Sequence, residues 1–174
     1  MGKVYESIDE KLAGWIRRQR LFFVATAPSD GGHVNVSPKG PIDTLTVVDG
    51  RTVEYVDHVG SGAETAAHLR ENGRICLMLC AFEGPPRIVR LHGRGEVVPA
   101  TDPGDGVRAV VRVHVERIAD SCGYGVPLMR YEGDRTQYEA WVDNQVRGAG
   151  LDAYLVKHNG ASLDGLPAIT RASG

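Results

Sequence analysis

The stretch Thr52 to Met78, TVEYVDHVGSGAETAAHLRENGRICLM, decides the fold class. Thr52, Val53, Tyr55 and Val56 are strand formers, and Gly60-Ser61-Gly62 interrupts them. Ala63 to Leu69 carries good helix formers. Ile75 to Leu79 is an apolar run too short for a buried helix but right for a strand. The order is strand, glycine-rich turn, short helix, strand. Such a turn points backbone N–H groups and a helix N-terminus at whatever lies above the strand end, an arrangement suited to a phosphate. The same glycines also serve as an ordinary tight connection, and the stretch alone leaves both roles open.

Upstream, Ser7-Ile8-Asp9-Glu10 has the form of a capping box, and Ile8, Leu12, Trp15 and Ile16 recur at helical spacing. The pattern predicts a helix from Ile8 to about Gln19, with Arg17, Arg18 and Arg20 at the end where the helix dipole favours cations. Leu21 to Thr26 and His33 to Ser37 read as a hairpin around Pro28–Gly32, and Ser37-Pro38-Lys39-Gly40-Pro41 ends its second strand because proline cannot donate to a ladder. Thr44 to Val48 and Thr52 to Val56 form another hairpin around Asp49-Gly50.

Downstream, Cys80 to Pro86 is a loop, and Arg87 to Val98 is a long strand whose Gly93 and Gly95 point to a bulge or barrel corner. Val111, Val113 and Val115 alternate with polar residues as a half-buried strand. Asp120 to Val126 reads as an irregular loop. Asp134 to about Gln145 reads as a helix with Tyr138, Trp141 and Val142 on one face, and His158 to Pro167 as loop. Hairpins outnumber regular βα units. The fold class is mainly β (α+β), an antiparallel barrel or sandwich with peripheral helices rather than a doubly wound sheet. It spans 1–174 as one domain, with 127–174 a C-terminal helical extension and tail.

At 174 residues the chain can bury a real core, and a net charge of −2 without a lysine or arginine run excludes a nucleic-acid footprint. The longest apolar run, Ile75 to Phe82, is far short of a bilayer span, so no membrane partner is expected. MGKVYESIDE has no apolar signal region, and the cytoplasm is the expected location. Cys76, Cys80 and Cys122 make no disulfide framework and no metal-ligand spacing, so no metal is expected.

Gly60-Ser61-Gly62-Ala63-Glu64-Thr65 begins like a dinucleotide fingerprint, but Thr65 occupies the third glycine's place. P-loop, nucleophile-elbow and zinc-protease motifs are missing. Lys39 follows a predicted strand at a point where a neighbouring strand end brings it near the Gly60 turn. Arg90 and Arg94 share one strand face and Arg87 the other, more often a solvated face or a subunit interface than an anion site. Asp120 to Gly125 is more often a structural turn than a cover for a ring or substrate. No residue is assigned a catalytic role.

Taken as an ordered set, these elements resemble the pyridoxamine 5'-phosphate oxidase-like family of FMN-binding split barrels. The resemblance runs from Ile8 to Val98, through Leu21–Thr26, His33–Gly40, Thr52–Asp57, the turn and helix to Leu69, Asn72–Leu77 and Arg87–Val97. It implies a six-stranded antiparallel split barrel, a homodimer, FMN at the dimer interface, and oxidoreductase chemistry on a small-molecule substrate. It also implies that the strand bearing Val36 and Ser37 runs beneath the isoalloxazine ring, with Lys39 polarising the ring or anchoring the phosphate. Tyr55, Val56, Asp57, Ser61, Gly62 and Thr65 would approach the ribityl chain and phosphate, and Arg87 or Arg90 of the partner subunit would reach the cofactor.

Two positions depart from the family pattern. Glu64-Thr65 stands where many members carry a basic pair, and Val34 where a phosphate-binding arginine is common. A carboxylate about 4 Å from a phosphate repels it by about 1 kcal/mol in water and by more when desolvated. The tail also lacks the family's Arg-x-His arrangement, so oxidation of pyridoxamine 5'-phosphate itself is not the expected reaction. A deazaflavin coenzyme on the same fold, or a flavin-free binding dimer, is the alternative.

Overall fold

The computed structural model describes residues 2–100, 106–148 and 150–169. Its first helix, α1 (Glu10–Arg17), is capped by Asp9, whose carboxylate accepts the Leu12 N–H at 2.7 Å. The Ser7 capping box is therefore not used. Asp9 sits directly before the first helical residue, where its charge also complements the helix dipole. Leu12, Ala13 and Ile16 form the buried face.

The strands are β1 (Val4–Tyr5), β2 (Phe22–Thr26), β3 (Asn35–Lys39), β4 (Leu45–Val47), β5 (Thr52–His58), β6 (Arg74–Cys80), β7 (Ile88–Pro99) and β8 (Val107–Ser121). All pairings are antiparallel, in the order β3-β2-β6-β7-β8-β5-β4, and β1 adds to β8. The sheet curls into a split barrel. Its inward residues alternate with period two: Phe22 and Val24, Val53 and Tyr55, Leu77 and Leu79, Val89 and Leu91, Val111 and Val113. Each such side chain contributes about 1.5–3 kcal/mol by leaving water. α1 and α2 (Glu64–Asn72) cover the core, α2 lying between β5 and β6 in the chain as the opening stretch predicts.

Two expectations are corrected. β3 begins two residues later than predicted and continues through Pro38, which faces Phe23. β3 is an edge strand, so the missing proline N–H has no ladder bond to break. Asp120 and Ser121 belong to β8, which pairs with β7 from Ala109 to Ser121, rather than to a loop. Between Gln145 and His158, where the sequence reading assigns no individual element, the C-terminal extension holds a further helix: α3 (Gln137–Arg147) is followed by α4 (Gly150–His158). Leu151 and Leu155 of α4 pack with Val142 of α3 against Val59, an apolar pattern too short to stand out by periodicity.

The bulge expected near Gly93 exists, but the extra residue lies on β8, where the register slips between His92 and Gly93. A Cβ on Gly93 would come within 2.0 Å of the His114 carbonyl oxygen, so glycine is required by this close approach. β7 keeps its alternation, and Arg90, His92 and Arg94 all face outward. Among the described residues no helix is long and apolar enough to cross a membrane.

Candidate functional site

The barrel opens where β3 and the β4–β5 hairpin stand as opposite ends of the sheet. Strand alternation puts Asn35, Ser37 and Lys39 on one face of β3 and leaves Val36 and Pro38 exposed on the other. Across the opening, Lys39 Nζ donates to Asp57 Oδ1 at 2.7 Å. Arg108 Nε donates to the other oxygen, Asp57 Oδ2, also at 2.7 Å. A second bulge brings Arg108 there: the register passes from Asp57↔Ala109 to His58↔Val107, leaving Arg108 as the extra residue.

Asp57 is 1% exposed and Arg108 6%. Burial alone would push the Asp57 carboxyl up, but Lys39 and Arg108 outweigh it and hold the group below the usual carboxylate range. Two cations on one carboxylate leave this cluster with one positive charge in excess, and the Glu64 carboxylate stands on the same cleft wall.

Arg108 and Asn159 also fasten the glycine turn. Arg108 Nη1 donates to the Gly62 carbonyl at 2.6 Å and to Asn159 Oδ1 at 2.8 Å, while Asn159 Nδ2 donates to the Gly60 carbonyl at 2.8 Å. With its carbonyls tied inward, the turn leads into α2, whose N-cap Ala63 offers no side-chain acceptor. The first-turn N–H groups of α2 thus lack a capping side chain. A Cβ at Gly60 or Gly62 would meet nothing within 4 Å. The resulting cleft of about 280 Å³ is walled by Gly60 and Gly62 of this turn with Asn35, Ser37, Pro38, Lys39, His58, Glu64, Thr65 and Arg108.

A polar network lies beneath it. Asn35 Nδ2 donates to Thr26 Oγ1 and to Thr65 Oγ1, both at 3.1 Å, and Ser37 Oγ donates to Asn35 Oδ1 at 2.9 Å. Thr26 Oγ1 lies 2.9 Å from Nδ1 of the fully buried His68. Glu64, the departure from the family pattern, points to the C-terminal segment: Oε1 accepts the Leu163 N–H at 2.8 Å, and Oε2 lies 3.9 Å from His68 Nε2. Its side chain also lines the cleft. Burial pushes the His58 imidazole down, so it is neutral at pH 7, with its ring 5.1 Å from that of Tyr138.

Of the residues predicted from sequence, Ser37, Lys39, Asp57, Gly62 and Thr65 come together here. Val36 points away from the cleft and is 62% exposed. Tyr55 lies in the barrel core, edge-on to Phe22 with ring centroids 5.4 Å apart. Val56 alternates to the outer face, and Ser61 is exposed in the turn without lining the cleft. Arg87 and Arg90 of the same chain lie elsewhere. Arg87 pairs with Asp120 at 3.2 Å and stacks 4.8 Å over Trp15, and Arg90 Nη1 donates to Ser121 Oγ at 3.2 Å.

Arg87 borders a second groove of about 750 Å³ with Trp15, Arg17, Arg18, Arg20 and Phe82. That groove is larger, but most of its arginines are exposed at the C-terminal end of α1, where the helix dipole accounts for them. The buried charges converge on the smaller cleft.

Sequence reasoning missed Arg108, Asn35, His58 and Asn159. The one available signal was Arg108 itself, an arginine within the apolar run Val107–Val111, which must find an acceptor if buried.

A family model described as pyridoxamine 5'-phosphate oxidase matches residues 8–145. The pyridoxamine 5'-phosphate oxidase family protein ustO of Aspergillus flavus is 38% identical over 194 aligned positions, covering 97% of this chain and 78% of its own. Among solved structures, HupZ from Group A Streptococcus superposes with a TM-score of 0.51 at 24% identity, covering 64% of this chain and 91% of that one. Rv2991 from Mycobacterium tuberculosis gives 0.50 at 18% identity, covering 75% and 95%. At these identities the two structures share the fold alone.

Proposed function

This chain belongs to the pyridoxamine 5'-phosphate oxidase family, and from that premise we propose that it is a flavin-dependent oxidoreductase whose cleft receives the phosphate and ribityl end of FMN. The observation that carries the reading is the coincidence of three features at one opening. They are a net positive Lys39–Asp57–Arg108 cluster, an α2 N-terminus without a capping side chain, and a glycine turn with open space above it. Each favours an anionic, acceptor-rich group, and the donor set fits a phosphate.

Lys39 Nζ, Thr65 Oγ1 and the first-turn N–H groups of α2 would hold the phosphate. Asp57 acts on the protein side, holding Lys39 and Arg108 in place. Ser37 and the β3 backbone would border the ring. When bound, the flavin supplies hydride chemistry at its N5.

The cleft of about 280 Å³ lies at the lower limit of small-molecule sites. It suits one end of FMN, and a second subunit would complete the rest. The outer sheet face supports such a homodimer, since Phe23, Ala25, Val36, Pro38, Cys76 and Met78 form adjoining cross-strand neighbours of largely apolar character. Arg87 or Arg90 of the partner subunit would then approach the flavin. Three free cysteines accord with a reducing cytoplasm.

Titration of the purified protein with FMN, riboflavin and a deazaflavin coenzyme tests the reading. Saturable FMN binding with a perturbed flavin spectrum supports it. A folded protein that takes up only the deazaflavin, or neither coenzyme, would overturn it.

A further inference from the structure

The proton on His68 sets the direction of the whole network under the cleft. His68 is fully buried, with Thr26 Oγ1 at 2.9 Å from Nδ1 and no hydrogen-bond partner for Nε2 among the described residues. The Glu64 carboxylate lies 3.9 Å from Nε2. A bare Nε2 lone pair facing that carboxylate would be repelled, whereas an Nε2–H is attracted. With the ring's single proton on Nε2, Nδ1 accepts, so Thr26 donates to it. The Thr26 oxygen then accepts from Asn35 Nδ2, which donates equally to Thr65 Oγ1 and leaves Asn35 Oδ1 to accept from Ser37.

The consequence reaches the cleft wall. Thr65 Oγ1 already accepts, and nothing among the described residues receives its proton, so its O–H is free to donate to a ligand. Ser37 has used its proton on Asn35, so only its lone pairs face the cleft.

We propose that Glu64 and His68 are positioning residues which, through Thr26 and Asn35, make Thr65 a hydrogen-bond donor and Ser37 an acceptor in the cleft. The ligand selected therefore places an anionic oxygen at Thr65 and an O–H or N–H at Ser37. This rests on the flavin reading for the identity of the ligand, and on the ligand-free protein for the relay itself.

Two measurements separate the two. Nitrogen-15 NMR of the His68 ring in ligand-free protein should show the Nε2–H form, and Glu64→Gln should weaken that bias. An Nδ1–H ring in the parent protein would overturn the relay whatever the cofactor. In the second, Thr65→Val should bind FMN about ten-fold or more weakly and leave riboflavin affinity unchanged, with Thr65→Ser restoring FMN binding. Equal FMN affinity in Thr65→Val would overturn the assignment of Thr65. If the parent protein binds no FMN, the flavin reading fails, and the ring tautomer alone decides the relay.

Discussion

Lys39 of β3 and Asp57 of β5 meet at 2.7 Å across the opening of the barrel, joining strands that share no backbone ladder. Arg108 closes the pair from behind at the same distance. The cluster therefore braces the split in the fold and charges the mouth of the cleft.

Removing Arg108 should be the more damaging change. Its guanidinium serves Asp57, Gly62 and Asn159 at once, and its loss leaves a buried carboxylate with one partner. Arg108→Ala is expected to cost about 3–5 kcal/mol in denaturant unfolding, and Arg108→Lys to recover little because an ammonium cannot reproduce the fork. Lys39→Ala should cost about 1–2 kcal/mol, since Arg108 remains, yet weaken FMN binding more than it weakens the fold.

Acid should unfold the protein through Asp57. Its folded pKa lies below the ordinary 3.8, so its contribution is complete above about pH 4 and disappears as pH falls through the folded value. Asp57→Asn should flatten this acid limb while lowering stability at neutral pH, because Arg108 is then buried without a counter-charge. Unfolding curves between about pH 2 and pH 7 test both parts.

The glycines should separate by role. Gly93→Ala forces a Cβ to 2.0 Å from the His114 carbonyl oxygen and should prevent stable folding. Gly62→Ala meets open space and should change stability by no more than about 0.5 kcal/mol. Gly62 lines the cleft, so FMN affinity should fall while thermal stability holds.

Asn159 ties the C-terminal segment to the turn. It is fully buried and bonds both the Gly60 carbonyl and Arg108. Asn159→Ala should cost about 1–3 kcal/mol and loosen the Gly60–Gly62 turn, measurable as faster amide exchange there.

Much of the fold was legible because its strands follow a strict period of two and its hairpins carry plain turn residues. Asp49-Gly50 and the Gly60–Gly62 break both fall where the turns lie. Pro38 misled because an edge position is a property of the finished sheet, not of the residue. The cleft was half legible. Lys39 and Asp57 stand beside recognisable strand ends, but Arg108 enters through a bulge and Asn159 through a contact 99 residues from Gly60. Neither leaves a local pattern. Glu64 reads as an obstacle to a phosphate, and it does line the cleft, with one carboxylate oxygen held by the Leu163 N–H and the other 3.9 Å from His68.

The central claim is that the opening braced by Lys39, Asp57 and Arg108 holds the flavin's phosphate. A crystal structure of the protein grown with FMN tests it most directly. The account predicts the phosphate within hydrogen-bond distance of Lys39 Nζ and Thr65 Oγ1. A phosphate seated instead in the groove between Trp15 and Arg87, with the Lys39 cleft holding only solvent, would contradict it.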